Sequence, residues 1–521
     1  MPVLKSEYHK AIYIIGLLGL AVSVTMSLYV MSLAQFLLIL NWLAEGNLKH
    51  KFKSFFQNKA AFAFLGLYLL LIFGLLYTYN FLFALDDLRI KLPLLGLPII
   101  LATSQPLNRK TINYILLFHV AGSFFSGLVS VYVFFTHSIG DMREVSVFIS
   151  HIRFSLNICM DVFILSYFIF GNNGFNSWIK VLFFLLIAWF VYFMLFMESF
   201  TGIIILLVTS VIICTVFILK RAKRIYRFAF VSFLLIGFFS LFFYFRGLLS
   251  EFHNMKPVDA KTLVWTTAHG HRYVHDIHNK ITDNVNFTWM YVCEEELKSA
   301  WSKRSKISYD STDRLHQPMK FTLVRFLTSK GLRKDMDAVN SLTDAEVKLI
   351  ENGVANINDA KKGSFEKRIK NTIWEYENYN ITHDPRGRST IQRLELWRIS
   401  FILIREHPWF GVGTGDVDDV FTYGLYNNNS LMSGSGLRSH DQYLTITLAF
   451  GIFGLVVFLF CILYPPIKEK KFSSFLYLAF FLIAMLSMLT EDTIESQAGV
   501  TFFAFFSCLL LFVDKNNSSD K

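Results

Sequence analysis

Long apolar runs, separated by short polar segments, fill the first half and the end of the chain. Many of them reach the roughly 17 residues that a helix needs to cross the hydrocarbon of a bilayer. The pattern predicts about twelve spanning helices, at 11–24, 26–43, 60–79, 90–104, 113–135, 154–170, 179–196, 200–219, 227–245, 441–464, 473–489 and 497–513. The first two could instead form one tilted helix over 11–43. Pro93 and Pro98 lie in the short span at 90–104, so an irregular helix is expected there.

A long polar insert separates the ninth predicted span from the tenth. The pattern therefore predicts nine spans within 1–245, a mainly helical loop domain at 246–440, and three spans with a short tail at 441–521. Within the loop domain, helical spacing of apolar residues occurs at 294–301, 321–327 and 364–379. Thr343 or Ser341 is predicted to cap a further helix, with Glu346 near the capping-box position.

Composition agrees with an all-α polytopic membrane protein. Of the 521 residues, 54% are hydrophobic and 56 are Phe, which excludes an ordinary soluble globular protein. With a cytoplasmic N-terminus, about nineteen Lys and Arg fall on the cytoplasmic side and about four in short external loops, as the positive-inside rule requires. The net charge of +11 therefore records topology, and no nucleic-acid partner is needed to explain it.

The N-terminal sequence and the positions of the cysteines argue against a cleavable signal peptide and against stabilising disulfides. The first apolar run lacks a small-residue cleavage site, so no cleavable signal peptide is expected. Of the five cysteines, only Cys293 falls outside the predicted spans. The loop domain is therefore expected to be stabilised by packing rather than by disulfides.

Arg393 is the first candidate for chemistry. On a helix through 390–405, Arg393 and Trp397 are i,i+4 neighbours on a mostly apolar element that could lie along the membrane surface. An arginine there can hold a phosphate with its two-pronged guanidinium. The alternative is an interfacial arginine that only pairs with Glu395 or Asp384.

His440 lies at the predicted external end of the tenth span. A neutral histidine at the mouth of a membrane protein could serve as a general base, with Asp441 or a nearby carboxylate orienting it. The alternative is a histidine at the start of the helix with no catalytic role, where Ser439 or Asp441 is the better cap.

The glycine-rich segment at 411–415 is not a dinucleotide-binding fingerprint, because no strand precedes it. Gly411 follows a helix predicted to end near His407-Pro408, so it indicates a helix stop and a flexible turn back toward the membrane.

Several charges lie within or beside the predicted spans, where burial in hydrocarbon is costly. They are Arg153, Asp161, Glu198, Glu491 and Asp492. Arg153 is predicted at the same external side as Arg393 and His440, where two arginines could hold a pyrophosphate. Glu491, Asp492 and Glu495 border the last external turn and could orient a sugar hydroxyl or pair with the arginines; structural ion pairing is the alternative for each.

A histidine-rich segment, His269 to His278, offers a possible metal site. On a helix, His271, His275 and His278 could share one face with zinc- or copper-binding spacing. No clear fourth ligand accompanies them, so a polar or carbohydrate-facing helix is favoured and no metal is expected.

In this order, Arg393-x3-Trp397, Gly411-Val-Gly413, His440-x2-Tyr443-Leu444 and Gly451-x2-Gly454 resemble the O-antigen ligase and O-antigen polymerase superfamily. The layout of many spans with one late, large loop resembles it too. Asp441 replaces the family's usual Asn. The segment Glu198-Ser-Phe-Thr-Gly202 looks like a degenerate form of the family's Ser-Arg-Thr-Gly, with Phe200 where Arg is common.

The resemblance implies a metal-independent, inverting glycosyl transfer without cofactor, on the periplasmic face of the bacterial inner membrane. The donor would be a glycan on undecaprenyl pyrophosphate, and the acceptor lipid A-core or another glycan. His440 would take the proton; Arg393, Arg153 and, in reserve, Arg388 would hold the pyrophosphate. Asp441, Tyr443, Glu491 and Asp492 would orient the acceptor or the base.

Three other functions stay open at this point. A polymerase would use a second lipid-linked repeat as acceptor, and a protein glycan ligase would use a protein. A polysaccharide transporter or flippase would show inverted repeats and broken helices at mid-membrane. No such repeat is visible in the sequence, which favours an enzyme.

Overall fold

The computed structural model describes residues 5–137, 145–171, 174–253, 263–276, 282–283, 286–315, 317–360, 372–373, 375–376, 379–380, 383–386 and 389–513. Most of them are helical, as predicted. The chain divides into two compact units: Met1–Lys220 with Gln392–Lys521, and Arg221–Ile391.

The first unit is built from long apolar helices. Up to the insert these are α1 (Ser6–Met26), α2 (Leu28–Ala44), α3 (Leu48–Gln57), α4 (Lys59–Gly74), α5 (Phe81–Ile90), α6 (Pro93–Thr103), α7 (Arg109–Thr136), α8 (His151–Phe170), α9 (Ser177–Phe196) and α10 (Phe200–Arg221).

The next helix, α11 (Arg224–His253), belongs to the second unit by its residues. The second unit continues with the paired strands β1 (Thr282–Asp283) and β2 (Asn286–Phe287), and with α12 (Glu294–Arg304), α13 (Met319–Ser329), α14 (Met336–Asn340), α15 (Asp344–Glu351) and a 3-10 turn (Ile357–Ala360).

The chain then returns to the first unit. It forms α16 (Ser389–Glu406), α17 (Val417–Asn427), α18 (Gln442–Lys468), a 3-10 turn (Lys471–Ser473), α19 (Phe475–Ser487) and α20 (Gln497–Cys508), which a π turn extends over Leu509–Val513.

Seven of the described helices are long and apolar enough to cross a membrane, and an eighth span results if α2 and α3, bent by 112°, count as one. Three further apolar helices are shorter: Lys59–Gly74, Phe475–Ser487 and Gln497–Val513. Each predicted span coincides with helical structure. The count of about twelve crossings is not confirmed by helix length and composition.

The alternative of one helix over 11–43 is wrong. Ser27 is extended (φ −162°) and ends α1, and its side chain accepts a hydrogen bond from the N–H of Val30 to begin α2. Asn41 of α2 then exchanges two hydrogen bonds of 2.9 Å with His9 of α1. The two helices therefore pack against each other instead of continuing in line.

Helix α20 occupies the centre of the first unit. All of its residues from Ala498 on are buried, as are those of the π turn that follows. A helix that is apolar on every side is expected in such an interior position. The buried run begins with the Ala-Gly-Val-Thr-Phe-Phe sequence at 498–503.

The second unit has its own small core around Trp301 of α12 and Leu323 of α13, both fully buried. The helices predicted at 294–301 and 321–327 are confirmed with slightly longer bounds. Thr343 caps α15 in a capping box with Glu346, so Thr343 and not Ser341 is the cap. The amphipathic segment predicted at 364–379 lies largely outside the described residues.

Candidate functional site

His440 is positioned by the start of α18. The side chain of Asp441 accepts a hydrogen bond from the N–H of Leu444 at 2.9 Å and caps the helix, which is the structural role considered for it above. His440 itself has φ +50°, a left-handed backbone conformation that is uncommon for a residue with a side chain and costs free energy. The surrounding contacts must hold it there.

Those contacts come from the loop between α19 and α20, residues 488–496. The Asp492 carboxylate accepts the backbone N–H of His440 at 3.2 Å and the hydroxyl of Thr445 at 2.7 Å. Gln442 also donates its backbone N–H to the Met488 carbonyl at 2.9 Å. The loop and the beginning of α18 therefore form one hydrogen-bonded unit.

Glu491 links the two principal candidates. One of its carboxylate oxygens accepts a hydrogen bond from Nη2 of Arg393 at 2.6 Å, and the other lies 3.8 Å from Nδ1 of His440. The Glu491 side chain is 9% exposed, while those of Arg393 and His440 are 28% and 32% exposed. The two basic groups are thus open to a ligand, and the acid lies behind them.

Arg153 reaches the same loop from α8. Its Nη2 donates to the backbone carbonyl of Asp492 at 3.3 Å, and its Nη1 to the hydroxyl of Ser150 at 3.2 Å. The convergence of Arg153, Arg393 and His440 that the sequence suggested is therefore seen, through two adjacent residues of one loop. The partners considered for Arg393 are engaged elsewhere: Glu395 binds Arg398, and Asp384 binds Arg386.

The pKa values of the two neighbouring acids Glu491 and Asp492 are shifted in opposite directions. Burial alone would raise the pKa of Glu491, but the neighbouring His440 and the charges of Arg393 and Arg153 lower it below its usual range. Burial raises the pKa of Asp492 in spite of the hydrogen bond that it accepts from Thr445. Glu491 is therefore the acid that keeps a negative charge beside His440.

A second ion cluster holds the far end of the same loop; the sequence indicated its acid Glu495, but not the partners Lys91 and Asp87. Nζ of Lys91 lies 2.9 Å from Asp87 and 2.6 Å from Glu495. Glu495 also accepts the side-chain amide of Gln442 at 2.7 Å and lies 3.6 Å from Arg438. The i,i+4 spacing of Asp87 and Lys91 was the available sequence signal.

The glycine-rich loop is locked into a break in α18 rather than left flexible. Gly451 has φ +67° and interrupts the helix. The carbonyls of Leu448 and Ala449 accept the N–H groups of Val412 and Gly413, at 3.0 and 2.8 Å. In exchange, the N–H groups of Ile452 and Phe453 donate to the carbonyls of Pro408 and Trp409. Loop and helix therefore satisfy each other's backbone groups, as an apolar environment requires.

Side chains cannot be accommodated at this crossing. A Cβ on Gly451 would lie 2.1 Å from the carbonyl carbon of Trp409, and one on Gly411 would lie 2.4 Å from that of Ala449. Beyond the crossing, the carboxylate of Asp416 accepts the N–H groups of Tyr79 and Asn80, at 2.8 and 2.7 Å. The loop thus fixes the distance between α16, which carries Arg393, and α18, which His440 precedes.

The remaining predicted residues lie away from this centre. The hydroxyl of Tyr443 donates to the carbonyl of Met485 in α19 at 3.1 Å. Glu198 is exposed at a turn with φ +51°. Asp161 is fully buried on α8 beside His119. Arg388 lies outside the described residues.

The histidine-rich segment is not helical where it is described, which corrects the prediction of a shared helix face. Residues 266–274 form short antiparallel bridges. His271 Nδ1 pairs with the buried Glu296 at 2.9 Å, and His275 binds the backbone at Val264 and Tyr291. His278 lies outside the described residues. Within the described ranges, no cluster of three or more His, Cys, Asp or Glu could hold a metal ion.

Comparison with protein families identifies one region. Residues 349–459 match the family model described as O-Antigen ligase, a stretch that contains Arg393, the glycine-rich loop, His440 and Gly451. The resemblance to the O-antigen ligase superfamily is thereby confirmed. No curated protein matches the chain. Together with the apolar helices, the match points to a multi-pass membrane protein.

Proposed function

We propose that this membrane protein, with its O-antigen ligase region, is a glycosyltransferase that moves a glycan from undecaprenyl pyrophosphate to an acceptor hydroxyl. The acceptor is lipid A-core or a similar glycan, and the reaction takes place on the periplasmic face of the bacterial inner membrane. The observation that carries the proposal is the Arg393–Glu491–His440 arrangement, in which two accessible basic groups flank one buried acid.

Arg393 and Arg153 supply the positive charge for the donor. A lipid pyrophosphate is a good leaving group only if its growing negative charge is stabilised, and guanidinium groups suit phosphate oxygens in geometry and charge. The Arg393 side chain is partly exposed and already binds a carboxylate, so it is presented in a conformation that binds oxyanions. No step in this scheme needs a metal ion.

His440 serves as the general base, and Glu491 orients it. The carboxylate beside Nδ1 favours the tautomer with hydrogen on Nδ1, which leaves the lone pair of Nε2 for the substrate. Asp492 assists by holding the backbone N–H of His440. Asp441 supports the same geometry as the helix cap, so its effect on the reaction is indirect.

The reaction then balances as a single displacement. The acceptor oxygen attacks the anomeric carbon from the face opposite the pyrophosphate, and its proton passes to Nε2 of His440. The bond from the anomeric carbon to the pyrophosphate oxygen breaks, and the lipid pyrophosphate leaves with the electron pair beside Arg393. The configuration at the anomeric carbon inverts, and the proton on His440 is later lost to water.

We also propose about twelve membrane crossings with an external site, because the distribution of Lys and Arg supports that topology. The three shorter apolar helices raise the seven or eight long spans to at most eleven, and α6 (Pro93–Thr103), in the predicted span 90–104, is the twelfth. A transporter is less favoured, since the two principal basic groups, Arg393 and His440, both contact one loop through Glu491.

The decisive test is His440→Ala, with His407→Ala as the matched control because His407 is an exposed histidine at the end of α16. We expect His440→Ala to abolish glycan transfer from a lipid-linked donor while the protein is still inserted and folded, and His407→Ala to retain activity. Full activity of His440→Ala would refute the assignment.

A deletion strain separates ligase from polymerase. Loss of all surface-attached polymer, with lipid-linked polymer accumulating, indicates a ligase. Surface glycan that stops at a single repeat indicates a polymerase instead.

A further inference from the structure

Two facing helices of the first unit carry polar stripes in their interior. On α7, His119, Ser123, Ser126 and Ser130 follow the i, i+4, i+7, i+11 spacing of one helix face, and each is at most 1% exposed. On α8, Arg153, Asn157 and Asp161 follow the same rule at i, i+4, i+8. Polar residues at these positions of membrane-spanning helices are costly and therefore call for a function.

The stripes meet at their inner end. Nε2 of His119 lies 3.5 Å from a carboxylate oxygen of Asp161, and both side chains are fully buried. Nδ1 of His119 is bound to the carbonyl of Ala21 at 2.9 Å, which aims Nε2 toward Asp161. The pair is about 12 Å along α8 from Arg153, given eight residues at 1.5 Å each.

Many polar atoms along these stripes have no hydrogen-bond partner among the described residues. They are Nε2 of His119, the hydroxyl of Ser130, Nε of Arg153 and Oδ1 of Asn157. The Asp161 carboxylate has the hydroxyl of Ser123 beside it, but only at the limit of a hydrogen bond. An unpaired buried polar group destabilises the folded state, so a row of such groups is stable only if water or an ion forms hydrogen bonds with them.

The polar side chains of α7 and α8 extend from Arg153 inward to the His119–Asp161 pair, and apolar side chains follow after the pair. Arg153 is partly exposed and contacts the loop at the candidate site. Beyond Asp161 and His119, the buried residues of both helices are apolar, among them Leu165 and Phe168 on α8 and Ile115 on α7. On these two helices, the polar stripe therefore opens at the Arg153 end and reaches the His119–Asp161 pair.

We propose that these stripes form a hydrated seam and that the His119–Asp161 pair at its end binds one proton delivered by that water. A carboxylate or an imidazolium without a counter-charge is strongly disfavoured in this interior. With one proton, the pair is neutral overall, whether the proton lies on the carboxyl or is shared as an ion pair. Of the seam residues only Arg153 belongs to the proposed transfer site, and the His119–Asp161 pair takes no part in that reaction.

Cysteine accessibility tests the seam. In protein with its five native cysteines replaced, Asn157→Cys and Ser123→Cys are compared with Ile158→Cys, a buried neighbour that lies off the stripe. We expect the two seam thiols to react with methanethiosulfonate ethylammonium at least about tenfold faster than the control thiol, because a thiol in a dry, apolar site is unreactive. Equal rates for all three would overturn the hydrated seam.

Infrared spectroscopy tests the proton. Replacing His119 by Gln or by Leu should leave the proton on Asp161, giving a protonated-carboxyl band that shifts when H2O is exchanged for D2O. The band should be missing when Asp161→Asn is added. A spectrum of the His119 variants without this band, or a band that is insensitive to D2O, would overturn the proton site.

Discussion

Glu491 and Glu495 belong to the same short loop and both bind basic residues, yet their surroundings differ. Glu491 binds Arg393 and faces His440, whose side chains are about a third exposed. Glu495 binds Lys91, whose side chain is 3% exposed and also contacts Asp87. A partly exposed basic group can exchange its carboxylate for a ligand, whereas a buried one cannot. The comparison separates a group available for chemistry from a group that holds the loop in place.

After the complete loss expected for His440→Ala, the largest effect on activity is expected from Arg393→Ala. Without this guanidinium, the leaving pyrophosphate loses a charge-assisted contact, so kcat/KM should fall by about three orders of magnitude. Arg398→Ala on the same helix is the control, because Arg398 is half exposed and pairs with Glu395 three residues away. Glycan-transfer kinetics would give kcat/KM for both variants, and thermal unfolding would show whether both are folded. Equal losses in the two variants would contradict the special role of Arg393.

Lys91→Ala should be the most destabilising change in the comparison. It leaves Glu495 and Asp87 buried without their shared cation, which typically costs about 3–5 kcal/mol. Arg89→Ala, two residues away, removes an exposed ion pair with Asp86 and should cost only about 0–1 kcal/mol. Denaturation in a mild detergent would compare them. Similar unfolding midpoints would show that Lys91 does not stabilise the loop.

Glu491→Gln should separate binding from chemistry. The amide no longer neutralises Arg393, so the donor should bind more tightly and KM should fall. His440 loses the charge that orients it, so kcat should fall about 100-fold. The opposite pattern, a raised KM with unchanged kcat, would mean that Glu491 contacts the substrate rather than the base.

The smallest effect is expected from Asp492→Asn, and it depends on pH. Burial raises the pKa of Asp492, so the native state holds this proton more tightly than the unfolded chain does. Ionisation therefore destabilises the wild type as the pH rises through this range. The Asn variant should unfold at a higher temperature near pH 7, and the difference should vanish below about pH 3.9, the ordinary pKa of Asp. A difference in unfolding temperature that is the same at all pH values would contradict the raised pKa of Asp492.

The contact between the segments of Gly411 and Gly451 could not be predicted from the sequence. The sequence predicts a helix stop and a turn at Gly411, and Gly451 belongs to a motif of the family resemblance. Their meeting could not be foreseen, because they are distant in the sequence and the hydrogen-bond exchange between loop and helix depends on how α16 and α18 pack. A glycine in the sequence indicates that the backbone there adopts an unusual conformation or is closely approached, but not which other segment approaches it.

By itself, the sequence determined the helical segments, the polar insert, and Arg393, His440, Glu491 and Arg153 as candidates. Hydropathy and helical periodicity are properties of neighbouring residues, so they are readable from the chain alone. Only the tertiary structure decided which acid pairs with which basic residue: Glu491 with Arg393 and His440, and Glu495 with Lys91. It also showed that Asp441 caps its own helix. It also brought His119 to Asp161. Such pairings join distant segments, and burial and distance, which set their energies, exist only once the helices have packed.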